Sequence, residues 1–236
     1  MHDLSPESKI LSAFAFVLVV VATPIERFWA YLGFLVLVMA LIRLAQLPYR
    51  TVFIRSLVEI PFILFALLMP FFGTGNQVEI VGLQLYETGL LAGASIIAKG
   101  TLGVLTAVIL SATTSARDFL RGLESLRIPA PLVNIASFMF RYLNVINDEL
   151  GRMRIARESR GFDERGIRSW RILAQTVGAL FIRSYERGER VYLAMLSRGY
   201  TGSMPNLSDN TQSRWLRALL LPLLAALISI GTGVFA

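Results

Sequence analysis

Between Tyr86 and Ala112 the chain runs for 27 residues with only Glu87 at its edge and Lys99 in its interior to carry charge. About 20 mostly apolar residues are enough to cross a bilayer as a helix. In lipid the backbone must satisfy its own hydrogen bonds, which restricts a crossing segment to a helix or a strand of a closed barrel. Phe28 to Ile42, Leu57 to Phe72 and Trp215 to Phe235 are apolar runs of similar kind, and Ile10 to Ala22 is a shorter one. The chain is 55% hydrophobic and 17% charged, with a mean hydropathy of +0.60, too apolar for a soluble domain. The expectation is an all-α integral membrane protein with about five transmembrane helices. Ile10 to Ala22 resembles the apolar part of a signal segment but lacks a small-x-small cleavage site and is followed by further spans, so it is kept as structure. It is expected to form a helical hairpin with the next run around Thr23 and Pro24, while Pro48 marks another joint.

Basic residues set the orientation, because cytoplasmic loops collect Lys and Arg. Arg43, Arg50 and Arg55 lie between the second and third runs, whereas Gly73 to Gly89 holds Glu79 and Glu87 and no basic residue. The first side is therefore expected inside and the second outside. Alternation then puts the N-terminus inside with Lys9 at the interface, and Thr113 to Arg217 inside as well. Of 23 basic residues, 15 lie between Arg117 and Arg198, so charge and topology agree. Arg27 is the exception on the outer side, beside Glu26, and can snorkel to the headgroups. The formal net charge of +7 fits topology and anionic partners better than nucleic acid, for which no basic-aromatic platform is present.

The run from Tyr86 is rich in small residues, and Gly89 with Gly93 form a GxxxG pair suited to close helix packing in lipid. Lys99 lies within it, where a charge costs at least about 2.5 kcal/mol at the bilayer centre. Snorkelling, or facing a polar interior, accounts for it without assigning a function.

After Arg117 the pattern becomes amphipathic. Tyr142, Ile146, Leu150, Met153 and Ala156 form one helical stripe, and Val177, Leu180, Phe181, Ser184, Gly188, Val191, Tyr192 and Met195 form another. Arg152 and Arg154, and Arg183, Arg187 and Arg190, are expected on the opposite faces, with Asp148–Arg152 and Glu186–Arg190 as i,i+4 supports. Pro129 and Pro131 open the first unit, Asp163 to Ser169 links it to the second, and TGSMPNLSDNTQS reads as a loop to the last span. The expected organisation is thus 1–112 transmembrane helices, 113–200 a cytoplasmic module of two long amphipathic helices, and 201–236 a linker with a C-terminal transmembrane helix.

These two helices end alike. ARESRGF at Ala156 to Phe162 repeats as AMLSRGY at Ala194 to Tyr200, offset by 38 residues, with Arg152 matching Arg190 upstream. Glycine past a helix end closes the last carbonyls in the left-handed conformation, and a cation there complements the dipole. Capping explains one Ser-Arg-Gly. The matching alanine, the following aromatic and the repetition favour two equivalent docking ends, with arginines whose forks suit carboxylates.

At these residues the chain resembles the transmembrane T component of energy-coupling factor (ECF) transporters, and more closely its cobalt/nickel, CbiQ-like branch. That family carries a pair of Ala-x-x-x-Arg-Gly-like signatures on two cytoplasmic coupling helices. LSPESKIL is similar to its Asp-Pro-x-x-Lys opening, with Ser5 replacing Asp, and Phe119 to Arg154 resembles it further. RYLNV after Phe140 favours the metal branch. The resemblance implies a scaffold joining two cytosolic ATP-binding cassette (ABC) ATPase subunits to a membrane-embedded, substrate-binding S component. It implies that Arg160 and Arg198 enter the ATPase grooves, that Ser159, Gly161, Ser197 and Gly199 shape the tips, and that Ala156 and Ala194 permit close approach. Cobalt or nickel would be the substrate, with a vitamin such as biotin as an alternative.

Nothing in the chain points to catalysis. Zero cysteines exclude disulfides and thiolate sites. The single histidine, His2, has no ligand cluster around it, and disorder at the terminus describes it better than metal binding. GTGNQ at Gly73 to Gln77 lacks the Lys-Ser/Thr of a phosphate loop, and no serine has a histidine base. No cofactor is expected. A conventional ABC permease would show one coupling element per subunit, and a membrane enzyme or assembly factor would spread its arginines over a lipid-facing surface.

Overall fold

Pro6 opens the first helix, its fixed φ suiting a first turn in which the missing N–H is no loss. In the computed structural model, which describes residues 5–73, 77–80, 83–161, 169–202 and 215–234, α1 runs Pro6–Ala22 and α2 runs Phe28–Leu44. The end of α2 closes in a Schellman pattern: Gln46 takes φ 52°, its N–H reaches the Arg43 carbonyl at 3.0 Å, and the Leu47 N–H reaches that of Ile42 at 3.2 Å. Pro48 then starts α3 (Tyr49–Ser56), which continues through a 3₁₀ turn into α4 (Ile60–Leu68) and a second 3₁₀ turn. Together they make a 23-residue apolar rod, Tyr49–Phe71. It starts well before the apolar run at Leu57, because Arg50 and Arg55 are good helix formers and an exposed first turn accommodates their charge.

The stretch expected as an outer loop holds a β-hairpin. β1 (Gln77–Ile80) pairs antiparallel with β2 (Leu83–Tyr86), Gln77 opposite Tyr86 and Ile80 opposite Leu83. Then follow α5 (Glu87–Thr113), α6 (Ala116–Ser125), α7 (Ala130–Glu158), α8 (Ser169–Leu196) and α9 (Trp215–Val234).

The chain divides into two units, one of residues 1–122 with 210–236, the other of 123–209. The C-terminal helix therefore belongs with the N-terminal ones, because α9 packs on α1 and α2. α5 is central to this first unit, packing on α1, α2 and the Tyr49–Phe71 rod around a core that includes Phe16, Phe34, Val38, Leu102 and Ala225. The expected hairpin of α1 and α2 meets through rings, Phe16 on Phe34 edge to face at 6.0 Å, while each backbone runs closest to α5 and α9. Trp29, Leu32, Phe62, Leu64 and Phe65 face outward. The rod and α5 are each long and apolar enough to cross a membrane, and Phe28–Leu44 and Leu219–Thr232 are shorter apolar helices.

Several polar groups inside this unit pair across helices. The Lys99 ammonium donates to the Val21 carbonyl at 2.9 Å, and Lys9 donates to the Thr113 carbonyl at 3.1 Å. Each of α1 and α5 thus lends a lysine to the C-terminal turn of the other, where carbonyls lack intrahelical partners and the dipole is negative. That is the group Lys99 faces. Glu59 is 3% exposed and accepts a hydrogen bond from Thr101 at 2.9 Å. Gly89 and Gly93 are buried against the rod: a Cβ on Gly89 would lie 2.4 Å from the Met69 carbonyl oxygen, and one on Gly93 2.6 Å from that of Ala66.

Candidate functional site

The second unit is built on α7 and α8. Pro129 caps α7 and Pro131 sits in its first turn, so the helix starts where these prolines allow and runs 29 residues. The pair is antiparallel: Glu149 meets Arg183, the Arg157 guanidinium donates to Thr176 Oγ1 at 2.8 Å, and the Asn134 amide donates to the Gly202 carbonyl at 3.3 Å. The partner positions, 202, 183 and 176, descend as those on α7 ascend.

The two signature tips have the same backbone. Ser159 and Ser197 N–H groups reach the Ile155 and Leu193 carbonyls, both at 3.0 Å, and Gly161 and Gly199 reach those of Glu158 and Leu196, again at 3.0 Å. Both glycines take positive φ, 75° and 82°, a conformation that costs glycine little and other residues more. The Tyr200 N–H returns to the Met195 carbonyl at 3.0 Å, completing a Schellman closure at the second tip. Each serine hydroxyl donates to a carbonyl of its own last turn, Ser159 to Ile155 at 2.9 Å and Ser197 to Ala194 at 3.0 Å. Capping is therefore part of what the signature does.

What capping leaves unused is the side-chain set. Ala156, Ser159, Arg160 and Gly161, and Ala194, Ser197, Arg198 and Gly199, are all exposed. Among the described residues neither the Arg160 nor the Arg198 guanidinium has a hydrogen-bond or ion-pair partner. Phe162, residues 163–168 of the linker, His2 and the loop from 203 lie outside the described residues. The antiparallel arrangement puts the tips at opposite ends of the pair. Counted from the Glu149–Arg183 crossing at 1.5 Å per residue, they lie roughly 40 Å apart along it.

At the crossing is a cleft of about 230 Å³. Shifting by 38 residues carries Tyr142, Val145, Ile146 and Glu149 onto Leu180, Arg183, Ser184 and Arg187, and all eight line the cleft. The same helical positions meet at the centre of the pair, but their residue types do not repeat there, and acid on α7 faces base on α8. Glu149 bonds Arg152 at 2.6 Å on its own helix and Arg183 across the cleft.

Two expectations are corrected here. Arg152 makes its direct ion pair with Glu149, and Asp148 adds only a weaker attraction, because Glu149 lies at the crossing where a second arginine shares it. Arg183 and Arg187 line the cleft and are not confined to the face opposite the stripe, whereas Val177 and Phe181 of that stripe are exposed. The Glu186–Arg190 pair is present at 3.9 Å, on the surface.

The Glu149 carboxyl is held below the usual carboxylate range, first by the hydrogen bond from Arg152 and next by that from Arg183. A depressed folded-state pKa stabilises above the ordinary value near 4.5 and is lost as pH falls through the depressed one. The α7–α8 packing is expected to loosen on acidification through that window. Glu149→Gln should flatten this part of the pH dependence, measured by thermal unfolding at successive pH values.

Two facts about this molecule now stand together: apolar helices with an outward apolar surface, and a separate helix pair with matched, capped, cationic tips. They define a helical membrane component with a duplicated charged module. The family model described as cobalt transport protein, CbiQ, matches residues 1–209, and the chain belongs to that family. It is 30% identical over 169 residues to the cobalt transport protein CbiQ of Rhodobacter capsulatus, covering 68% of each chain. It is 28% identical over 232 residues to the energy-coupling factor transporter transmembrane protein EcfT of Listeria innocua, covering 92% of this chain and 85% of that one. A 31% match to an uncharacterized protein of Methanocaldococcus jannaschii spans 52% of this chain and 42% of that protein's length.

Proposed function

We propose that the chain is the T component of an ECF-type importer, the non-catalytic membrane subunit that couples two cytosolic ABC ATPases to a membrane-embedded S component, with cobalt, or nickel, as the transported ion. The observation that carries this is the pair of matched capped tips at opposite ends of one antiparallel helix pair, each with an unengaged arginine. Two equivalent ends fit two equivalent partners, and a guanidinium on a rigid helix end offers a carboxylate-lined groove two parallel hydrogen bonds. When ATP binding draws the two ATPases together, the helices docked in them must change their crossing, and the Glu149–Arg183 contact is the fulcrum of that movement. The relatives named EcfT and CbiQ support the T-component reading, and the family description supports the cobalt assignment.

In this reading five helical segments cross the cell membrane: α1, α2, the Tyr49–Phe71 rod, α5 and α9. The N-terminus, α7 and α8 are cytoplasmic, as the distribution of arginines requires. Because the chain has no cysteine, Glu87→Cys and Ser197→Cys report orientation directly: an impermeant maleimide added to whole cells should label the first and not the second.

The test of function is co-expression with ATPase and S-component genes of the same genome. A tagged chain should retain two ATPase subunits and a small membrane protein through purification, and cells carrying the set should accumulate radioactive cobalt in an ATP-dependent manner. Purification of the chain alone, from cells that contain the ATPases, would refute the scaffold.

A further inference from the structure

We infer that α6 is a rigid brace transmitting movement of the coupling-helix segment to α1 and α5, with Lys9 and Gly122 as its positioning residues. This rests on the T-component reading. Only Thr114 and Ser115 separate α5 from α6, and the joint is fixed: Ser115 Oγ accepts the Asp118 N–H at 3.2 Å and donates to the Asp118 carboxylate at 2.6 Å, an N-terminal capping arrangement. At its other end α6 closes without a glycine. Arg127 takes φ 63°, its N–H reaches the Glu124 carbonyl at 3.0 Å, and the Ile128 N–H reaches that of Leu123 at 3.3 Å. Pro129, the cap of α7, follows at once. Hydrogen-bonded turns thus close this ten-residue helix at both ends.

Its underside is fastened to the first turn of α1. Gly122 is buried, and a Cβ there would meet Ile10 Cδ1 at 2.8 Å and the backbone of Glu7 and Pro6 at 3.0 Å. Leu120 is buried on the same helix. Lys9, one turn further along α1, donates to the carbonyl of Thr113, the last residue of α5. One lysine and one glycine thus lock α1, the end of α5 and α6 together at the point where the chain leaves for α7.

The test uses the whole complex in proteoliposomes, with Co²⁺ as the transported probe. Lys9→Met removes the charge-assisted hydrogen bond to the Thr113 carbonyl at little change in volume, and Gly122→Val forces α6 off α1. Both variants are expected to assemble with the ATPases and to keep at least half of the ATP hydrolysis, while Co²⁺ moved per ATP falls tenfold or more. Lys9→Arg should restore most of that ratio, which a merely structural loss would leave unchanged. Equal coupling in wild type, Lys9→Met and Gly122→Val would overturn the brace alone, as would hydrolysis and uptake falling in proportion. A wild-type chain that fails to hold ATPases would overturn the T-component reading itself.

Discussion

Arg198→Glu is expected to leave the isolated protein as stable as the wild type and to cut ATPase retention by more than tenfold, with Arg160→Glu behaving alike at the other tip. The stability half follows from exposure and from the absence of any partner for either guanidinium among the described residues. Surface changes of that kind are usually worth no more than about 0.5 kcal/mol. The binding half follows from the energetics of anchored arginines: a hot-spot truncation costs about 2 kcal/mol or more, and each 1.4 kcal/mol is a factor of ten in affinity. Reversal adds like-charge repulsion if the groove is acidic.

The glycines separate docking from capping. Gly199→Ala places a Cβ at φ 82° and costs about 1 kcal/mol of stability, because a left-handed residue with a side chain is strained. If the signature did nothing but close the helix, the glycine variants would carry the phenotype and the arginine reversals would be silent. Docking requires the opposite ranking in ATPase pull-down, with thermal unfolding measured on the same samples. The double reversal Arg160→Glu, Arg198→Glu should lose both ATPases, while each single variant loses avidity from one end only.

Much of the fold is legible because its boundaries are written in proline. Pro6, Pro48 and Pro129 each open a helix where the sequence places them, since their geometry is compatible with a first turn and little else in a helix. The β-hairpin escapes a reading by charge, although its signal is present. Gln77–Ile80 and Leu83–Tyr86 are two short runs, the first strictly alternating polar and apolar residues, separated by only two residues, the second of them glycine. The acids of that segment set the side of the membrane, and only its period announces the strands.

In the second unit the tips are legible because they repeat; the crossing is not. Asp148–Arg152 and Glu149–Arg152 are both acceptable helical spacings, and only the arrival of Arg183 from another helix decides between them. The partner of Lys99 is illegible for a different reason: it is a backbone carbonyl, 78 residues distant, and no side-chain pattern announces a helix end. The same limit applies to Glu59, whose burial depends on Gly100 and Thr101 of α5 lying alongside it.

The largest loss of stability is expected from Gly89→Val and Gly93→Leu. A side chain at Gly89 would meet the Met69 oxygen at 2.4 Å and Pro70 Cα at 2.8 Å, and one at Gly93 the Ala66 oxygen at 2.6 Å. These obstacles are backbone, so no rotamer relieves them, and the rod and α5 must separate. Overpacking of this kind costs about 1–3 kcal/mol, occasionally more. Separation also lengthens the Thr101–Glu59 hydrogen bond on the same interface, leaving a buried carboxyl under-satisfied at about 1–3 kcal/mol further. Gly100→Ala should be milder, because the atom it meets at 2.8 Å is Glu59 Oε1, the end of a side chain, so it disturbs the Thr101–Glu59 hydrogen bond without forcing the rod and α5 apart. A Cβ on Gly103 would have nothing within 4 Å of it, so Gly103→Ala should be neutral or stabilising by up to about 1 kcal/mol through helix propensity alone. Thermal unfolding in one detergent should therefore rank the four in the order 103, 100, 93 and 89. If Gly103→Ala proved as damaging as Gly89→Val, generic intolerance of α5 would be the cause, and close packing on the rod would not.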